Sequence, residues 1–255
     1  MNNIIDQPIH FITYGNDVFE KAKTRLMNQA RIFYPFKTMK AYGPEDLPTD
    51  FTQKFKSILD LKRGGGYWIW KPLIIKQKLA EMQENEFLIY LDAGCHFNKN
   101  GMNRFNEYID LLTKSEYGIL SFQMSGNIGS GSLEKEKCWT TKEIFNYFKV
   151  EPDSEIGNSG QYINTCFIIK KNKHFLKLLD LFLKALHEQP LMFTDYYNTM
   201  PQHPEFKENR HDQSMFSILR KLHGSVVIDG DESWMVPFGY DESLKYPFWA
   251  ARSKT

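Results

Sequence analysis

The sequence predicts an α/β fold in one domain, with a mostly parallel central sheet flanked by helices. Three observations lead there. Short apolar runs that end on a glycine or an acid alternate with longer stretches of helical periodicity. Strand-like and helix-like stretches succeed one another along the chain, the order that a parallel sheet with crossover helices requires. The chain has 255 residues, a size that one large domain can use in full, and no repeat or low-complexity linker divides it.

The elements follow in order. "IHFITYG" (residues 9–15) is a short apolar strand closed by a glycine. "DVFEKAKTRLMNQA" (17–30) reads as a helix with Asp17 near its start, where an acid suits the positive end of the dipole. "FKTMKAYG" (36–43) is a weaker strand, and "PEDLPTDFTQKFKSILDL" (44–61) a turn and a short helix. Pro72 fits the opening turn of a helix, where its missing N–H leaves nothing unpaired, so 72–83 is expected to be helical. "EFLIYLDAG" (86–94) is the clearest strand, an apolar run that stops on an acid and a glycine. "YGILSFQ" (117–123) and "YINTCFIIKK" (162–171) give two more. Phe175, Leu178, Leu179, Phe182 and Leu186 then recur at helical spacing. Met215, Ile218, Leu219 and Leu222 do the same over 211–222. "SVVID" (225–229) is the last strand, and the aromatic tail "YPFWAARSK" (246–254) reads as irregular.

Composition narrows the function. Hydrophobic residues make up 42% and aromatic ones 15%, enough for a large core with rings to spare for stacking. A formal charge of +1 argues against a nucleic-acid partner. The lysines of "KKNKHFLKLLDLFLK" read as the solvated face of a helix. Three cysteines (Cys95, Cys138, Cys166), an odd number with no CxxC, fit a reducing, cytoplasmic compartment. The opening residues lack a basic stretch followed by a long apolar one, so no secretory signal is expected, and "FLIYL" is too short to span a bilayer.

Four stretches could carry chemistry. In an open α/β sheet, ligands gather beyond the carboxyl ends of the strands. Asp92 is the first residue to leave the strand at that edge, and Ala93 and Gly94 are small enough for a close approach. An acid there can hold a metal on a diphosphate, accept a ribose hydroxyl, or merely close an Asx turn. His211 and Asp212 lie on the inward side of their helix at its N-terminal end. They can face a cleft, or Asn209 and Asp212 can form a capping box. Asn164, which can donate and accept, suits sugar hydroxyls. Finally, "GGGYWIWKP" (64–72) combines a backbone of three glycines, the rings of Tyr67, Trp68 and Trp70, and the cation Lys71 beside a helix start. It is neither a P-loop nor GxGxxG, and at least one of its tryptophans is expected to be buried.

In this order, "GGGYWIWKP", "IYLDAGC", "INTCFIIKKN" and "HDQSMFSIL" resemble the small bacterial glycosyltransferases of surface-polysaccharide clusters. That resemblance implies a GT-A (Rossmann-like) fold, with nucleotide binding in residues 1–125 and sugar and acceptor binding in 126–255. It implies transfer of a hexose, with galactose favoured, from a UDP-linked donor to a growing glycan or a lipid-linked oligosaccharide. Thr13, Tyr14, Tyr67, Trp68, Lys71, Asp92, Ala93, Gly94, Asn164 and His211 would contact the donor, and Asp212 would serve as the catalytic base. "LDAG" stands where such enzymes carry their DxD motif, with Gly94 in place of the last acid. If Mn2+ or Mg2+ binds, Asp92 and His211 are the ligands the sequence offers. A lipid-linked acceptor would bring the protein to the inner membrane face through surface contacts, with the aromatic-basic tail as one candidate. Two other functions compete. A sugar nucleotidyltransferase would share the plan but needs a Gly-rich basic signature after the first strand, which "ITYGNDVFEKAK" does not supply. A non-catalytic carbohydrate-binding protein would use the tryptophans as a platform, although such modules are mostly β.

Overall fold

The computed structural model describes residues 7–129, 131–196 and 199–255. The first part of the stretch read as lacking a secretory signal lies outside the described residues. Six strands form one sheet: β1 (Ile9–Tyr14), β2 (Thr38–Tyr42), β3 (Phe87–Leu91), β5 (Ile119–Gln123), β6 (Cys166–Lys170) and β7 (Val226–Asp229), in the order β2-β1-β3-β6-β5-β7. β1 runs parallel to β2 and β3, and β5 parallel to β7. β6 alone is reversed, antiparallel to both β3 and β5. The start of β6 therefore meets the carboxyl ends of its neighbours, with Leu91 opposite Cys166. This reversal brings Asn164 to the same edge as Asp92.

Alternation along the strands divides the core into two layers. Leu88 and Tyr90 face the helices Lys71–Ala80, Lys173–Glu188 and Asp212–His223. Phe87, Ile89 and Leu91 face the helices Glu20–Phe33 and Met102–Thr113. Strands from both halves of the chain share this sheet. The expected strand at 162–171 is shorter than its apolar run. Asn164 and Thr165 lie before it, and Tyr162 makes only an isolated bridge to Gln123. The tail expected to be irregular instead contains β8 (Phe248–Trp249), paired antiparallel with β4 (His96–Phe97). Phe248 packs edge-on against Phe97 and Phe105, so the tail is part of the second core layer.

The glycine triplet is a left-handed turn rather than a loose loop. Gly64, Gly65, Gly66, Tyr67 and Trp68 all have φ between 54° and 91°. For Tyr67 and Trp68 this conformation costs about 1–2 kcal/mol each. The turn is held by Gly66 N–H to the Leu61 carbonyl at 2.9 Å, Tyr67 N–H to Arg63 at 2.7 Å and the Trp70 indole to the Gly64 carbonyl at 3.0 Å. It reverses the chain so that Ile69 and Trp70 enter the core and the next helix begins at Lys71. Gly66 is where the turn lies against other backbone, because an added Cβ would stand 2.7 Å from Leu59 Cα and 3.2 Å from the Ile58 carbonyl oxygen. Gly66→Ala should therefore lower stability by about 1–3 kcal/mol, read as a lower urea midpoint at unchanged slope.

Candidate active site

The carboxyl edge of the sheet carries a chain of buried polar groups drawn from four elements. At its centre is Lys71, only 2% exposed, in the first turn of its helix. Its Nζ lies 3.0 Å from Asp212 Oδ2 and 3.3 Å from Asp92 Oδ1, and donates to the Asn164 carbonyl at 2.9 Å. Asn164 Nδ2 donates to Asp212 Oδ2 at 3.0 Å, while its own Oδ1 accepts from Arg220 Nη2 at 2.8 Å. The Tyr90 hydroxyl donates to Asp92 Oδ1. The order is thus Arg220, Asn164, Asp212, Lys71, Asp92, Tyr90. Asp212 is nearly covered at 5% side-chain exposure, whereas Asp92 reaches 29%. Asp92 is the open side of the group and Lys71 with Asp212 its floor.

The charges follow from burial and pairing. Burial alone would strip the Lys71 proton, but the two carboxylates outweigh it and hold the ammonium above its ordinary pKa. Burial lifts the Asp212 carboxyl above the usual range, and Lys71 and Asn164 limit the rise. Arg220, wholly enclosed, is pushed down to about 10 by burial and still remains charged at neutral pH. The group is one lysine set between two acids, with a guanidinium behind.

His211 occupies a separate box. Its ring lies edge-on to Tyr67 at 4.8 Å and stacked on Trp68 at 5.7 Å, with Nε2 3.6 Å from Asp195 Oδ1. Neither ring nitrogen completes a hydrogen bond, and burial lowers the pKa to about 4, so the imidazole is neutral at pH 7. The Tyr67 hydroxyl donates to Asp195, which also pairs with Arg63 at 2.9 Å. Neither capping role holds here. The helix starts at Asp212 itself, and Asn209 turns its amide to the Met192 and Thr194 carbonyls while its oxygen accepts from His211 N–H. The inward orientation expected for His211 and Asp212 is present, and it serves these two neighbouring pockets.

Other expected donor residues lie deeper or are already engaged. Thr13 is fully buried and donates its hydroxyl proton to the Leu91 carbonyl at 2.8 Å. Tyr14 is stacked on Trp70 at 3.7 Å. Ala93 is buried, and its carbonyl accepts from Arg25 at 3.1 Å. The close approach anticipated at Gly94 is made by the chain itself: a Cβ there would lie 3.0 Å from Arg252 Cα, and Ser253 N–H donates to the Gly94 carbonyl at 3.0 Å. Tyr90 and Arg220 were legible but missed. Tyr90 stands two residues before Asp92 on the same face of the strand, and Arg220 two helical turns beyond Asp212 on the same helix face.

A divalent ion fits this donor set poorly. Asp92 Oδ1 already serves Lys71 and Tyr90, a glycine stands at position 94, and His211 is enclosed by Tyr67 and Trp68 with Asp195 as its nearest carboxylate partner. Among the described residues no group of three or more His, Cys, Asp or Glu is arranged to hold a metal. The place between the two carboxylates is filled by the ammonium of Lys71.

No protein-family model matches the sequence, and no curated protein does. Among solved structures the chain is similar to a glycosyltransferase involved in the glycosylation of the major capsid of PBCV-1. The two are 13% identical, with 95% of this chain and 93% of that one aligned at a TM-score of 0.50. It is more distantly similar to mouse xyloside xylosyltransferase 1 (9% identity, 89% and 86% covered, TM-score 0.45). The galactosyltransferase LgtC in complex with donor and acceptor sugar analogs aligns at 9% identity over 88% and 74%, with a TM-score of 0.42. What the first likeness establishes is the fold: an α/β, mostly parallel six-stranded sheet of the GT-A type with helices on both faces.

Proposed function

We propose that the protein is a glycosyltransferase that moves a hexose, with galactose the first to test, from a UDP-linked donor to a glycan or lipid-linked acceptor. The observation that carries this reading is the meeting of Asp92 and Asp212, far apart in sequence, on one lysine at the carboxyl edge of the sheet. An α/β sheet collects ligands at that edge. A solved structure with this fold is described as a glycosyltransferase, which supports the same reading. The role proposed for Asp92, the more exposed carboxylate, is to take the donor's ribose or sugar hydroxyls. Asn164 is held in one orientation by Arg220 and Asp212, so it can steady the transferred sugar.

In an inverting transfer Asp212 accepts the acceptor's hydroxyl proton as that oxygen bonds to the anomeric carbon. The bond from carbon to the phosphate oxygen breaks, and its electron pair leaves with the nucleoside diphosphate. In a retaining transfer the same carboxylate faces the positively charged sugar centre. Among the described residues no helix is long and apolar enough to cross a membrane, so a lipid-linked acceptor would be met through the protein's surface. Incubation with a panel of UDP-sugars tests the function. Slow release of UDP from one donor without acceptor is the expected result, and a protein that neither hydrolyses nor binds any of them is not a glycosyltransferase of this kind. Release of pyrophosphate from a nucleoside triphosphate would instead identify a nucleotidyltransferase.

A further inference from the structure

Two arginines at the rim of this site are held by rings rather than by carboxylates. Arg210 lies over the face of Trp139 at 3.7 Å, and its Nη1 touches Met124 Sδ at 3.3 Å. Arg252 lies over Trp234 at 4.9 Å. Among the described residues neither guanidinium belongs to an ion pair, whereas Lys207, which lies over the same Trp139 ring as Arg210, pairs with Glu134 at 4.0 Å. Both belong to segments that adjoin the two acids of the site. Arg252 packs its backbone on Gly94, two residues beyond Asp92, and Arg210 precedes Asp212 by two residues.

The chain between them brings the two arginines to one place. Met124 follows Gln123, which bridges to Gly230, and Trp234 N–H bonds to the Asp231 carbonyl next along. The segment bearing Arg252 is fixed at several points. Ala250 N–H donates to Ser233, Ser253 N–H to Gly94, and the Ser253 hydroxyl meets His96 at 2.9 Å. Arg252 itself has φ 56°, a conformation a non-glycine residue holds only where its surroundings impose it. Asp231, an acid close to both guanidiniums, is buried, and its carboxyl accepts from Ser233 at 3.0 and 2.6 Å, while Glu134 and Glu208 are the acids that attract Arg210 most. Its carboxyl is thus engaged by Ser233 rather than by either guanidinium.

We propose that Arg210 and Arg252 form a clamp for the diphosphate of the donor and take up the charge of the departing nucleoside diphosphate, without a divalent metal. The proposal rests on the transferase reading above. A guanidinium presents paired N–H donors that match phosphate oxygens two at a time, and two guanidiniums match two phosphoryl groups. As the bond to the sugar breaks, negative charge grows on the phosphate oxygen, and a fixed cation stabilises that moment most. Lys71 already fills the place between Asp92 and Asp212, so the cation that faces the diphosphate has to come from the rim. Arg210 and Arg252 are the rim cations with donors to offer.

Titration of UDP and of uridine into the protein after dialysis against EDTA, followed by calorimetry, tests the clamp. Wild type should bind UDP equally well in EDTA and in Mn2+. Arg210→Ala and Arg252→Ala should each weaken UDP binding about tenfold or more and leave uridine binding unchanged, which also reports that the variants are folded. Arg252→Lys should recover part of the loss. UDP binding that requires Mn2+, or that survives both alanine variants, overturns the clamp and leaves the transferase reading standing. No UDP binding by wild type under either condition overturns both.

Discussion

Asp212→Asn lowers turnover about 10²–10⁴-fold and leaves UDP binding near wild type. The amide keeps the shape of the carboxylate and can still accept from Asn164 or Lys71, so the helix start should hold. What disappears is a base whose ordinary acidity has been reduced by burial. A carboxylate lifted in this way accepts a proton more readily than an exposed one, provided that Lys71, 3.0 Å away, does not hold it fully ionised. The pH profile separates this role from a structural one. In wild type the rate should rise with pH as Asp212 loses its proton, with the midpoint above the usual carboxylate range. In the variant that rise should vanish while the melting temperature changes little. Near-normal turnover by a folded Asp212→Asn protein would take the residue out of the chemistry.

The sheet and its helices were legible because each signal was local. The run Phe87–Leu91 stops on Asp92, and the spacing of Phe175, Leu178, Leu179, Phe182 and Leu186 marks one buried helix face. The edge at which Asp92 and Asp212 stand followed from the same reading. What stayed hidden depends on contacts between distant segments. The short strand Phe248–Trp249 has little periodicity of its own and exists because His96–Phe97 offers it an edge and Phe97 and Phe105 a surface. Gly94 reads as room for a ligand until the chain at Arg252 and Ser253 is seen to lie on it. Lys71 reads as a cation at a helix start offered to a donor phosphate, and lysines are seldom buried; only the convergence of two acids from other elements explains why it is covered. The three glycines, likewise, announce an unusual backbone but not its left-handed turn.

Lys71→Met should be the most damaging single change to stability, at about 3–5 kcal/mol. Methionine fills much of the lysine stem's volume and packs against Trp70, Tyr90 and Phe167, the rings that surround the ammonium at 5.3 to 6.0 Å. The loss is therefore one of charge. Asp212, at 5% side-chain exposure, and Asp92 beside it would face each other without a cation. The sign with pH then follows. Without Lys71, burial and the neighbouring carboxylate both raise the folded-state pKa of Asp212 above its unfolded value, so the folded variant binds the extra proton. Its stability should be greatest below the unfolded carboxylate pKa and fall as pH rises through the raised one. The deficit against wild type should accordingly be smaller at pH 5 than at pH 8. Adding Asp212→Asn, which alone changes stability little, to Lys71→Met removes one of the stranded charges and should restore part of the stability. Urea melts of the four proteins at both pH values complete the cycle. A double variant no more stable than Lys71→Met would mean that the lysine does not serve as the shared counterion of the two acids.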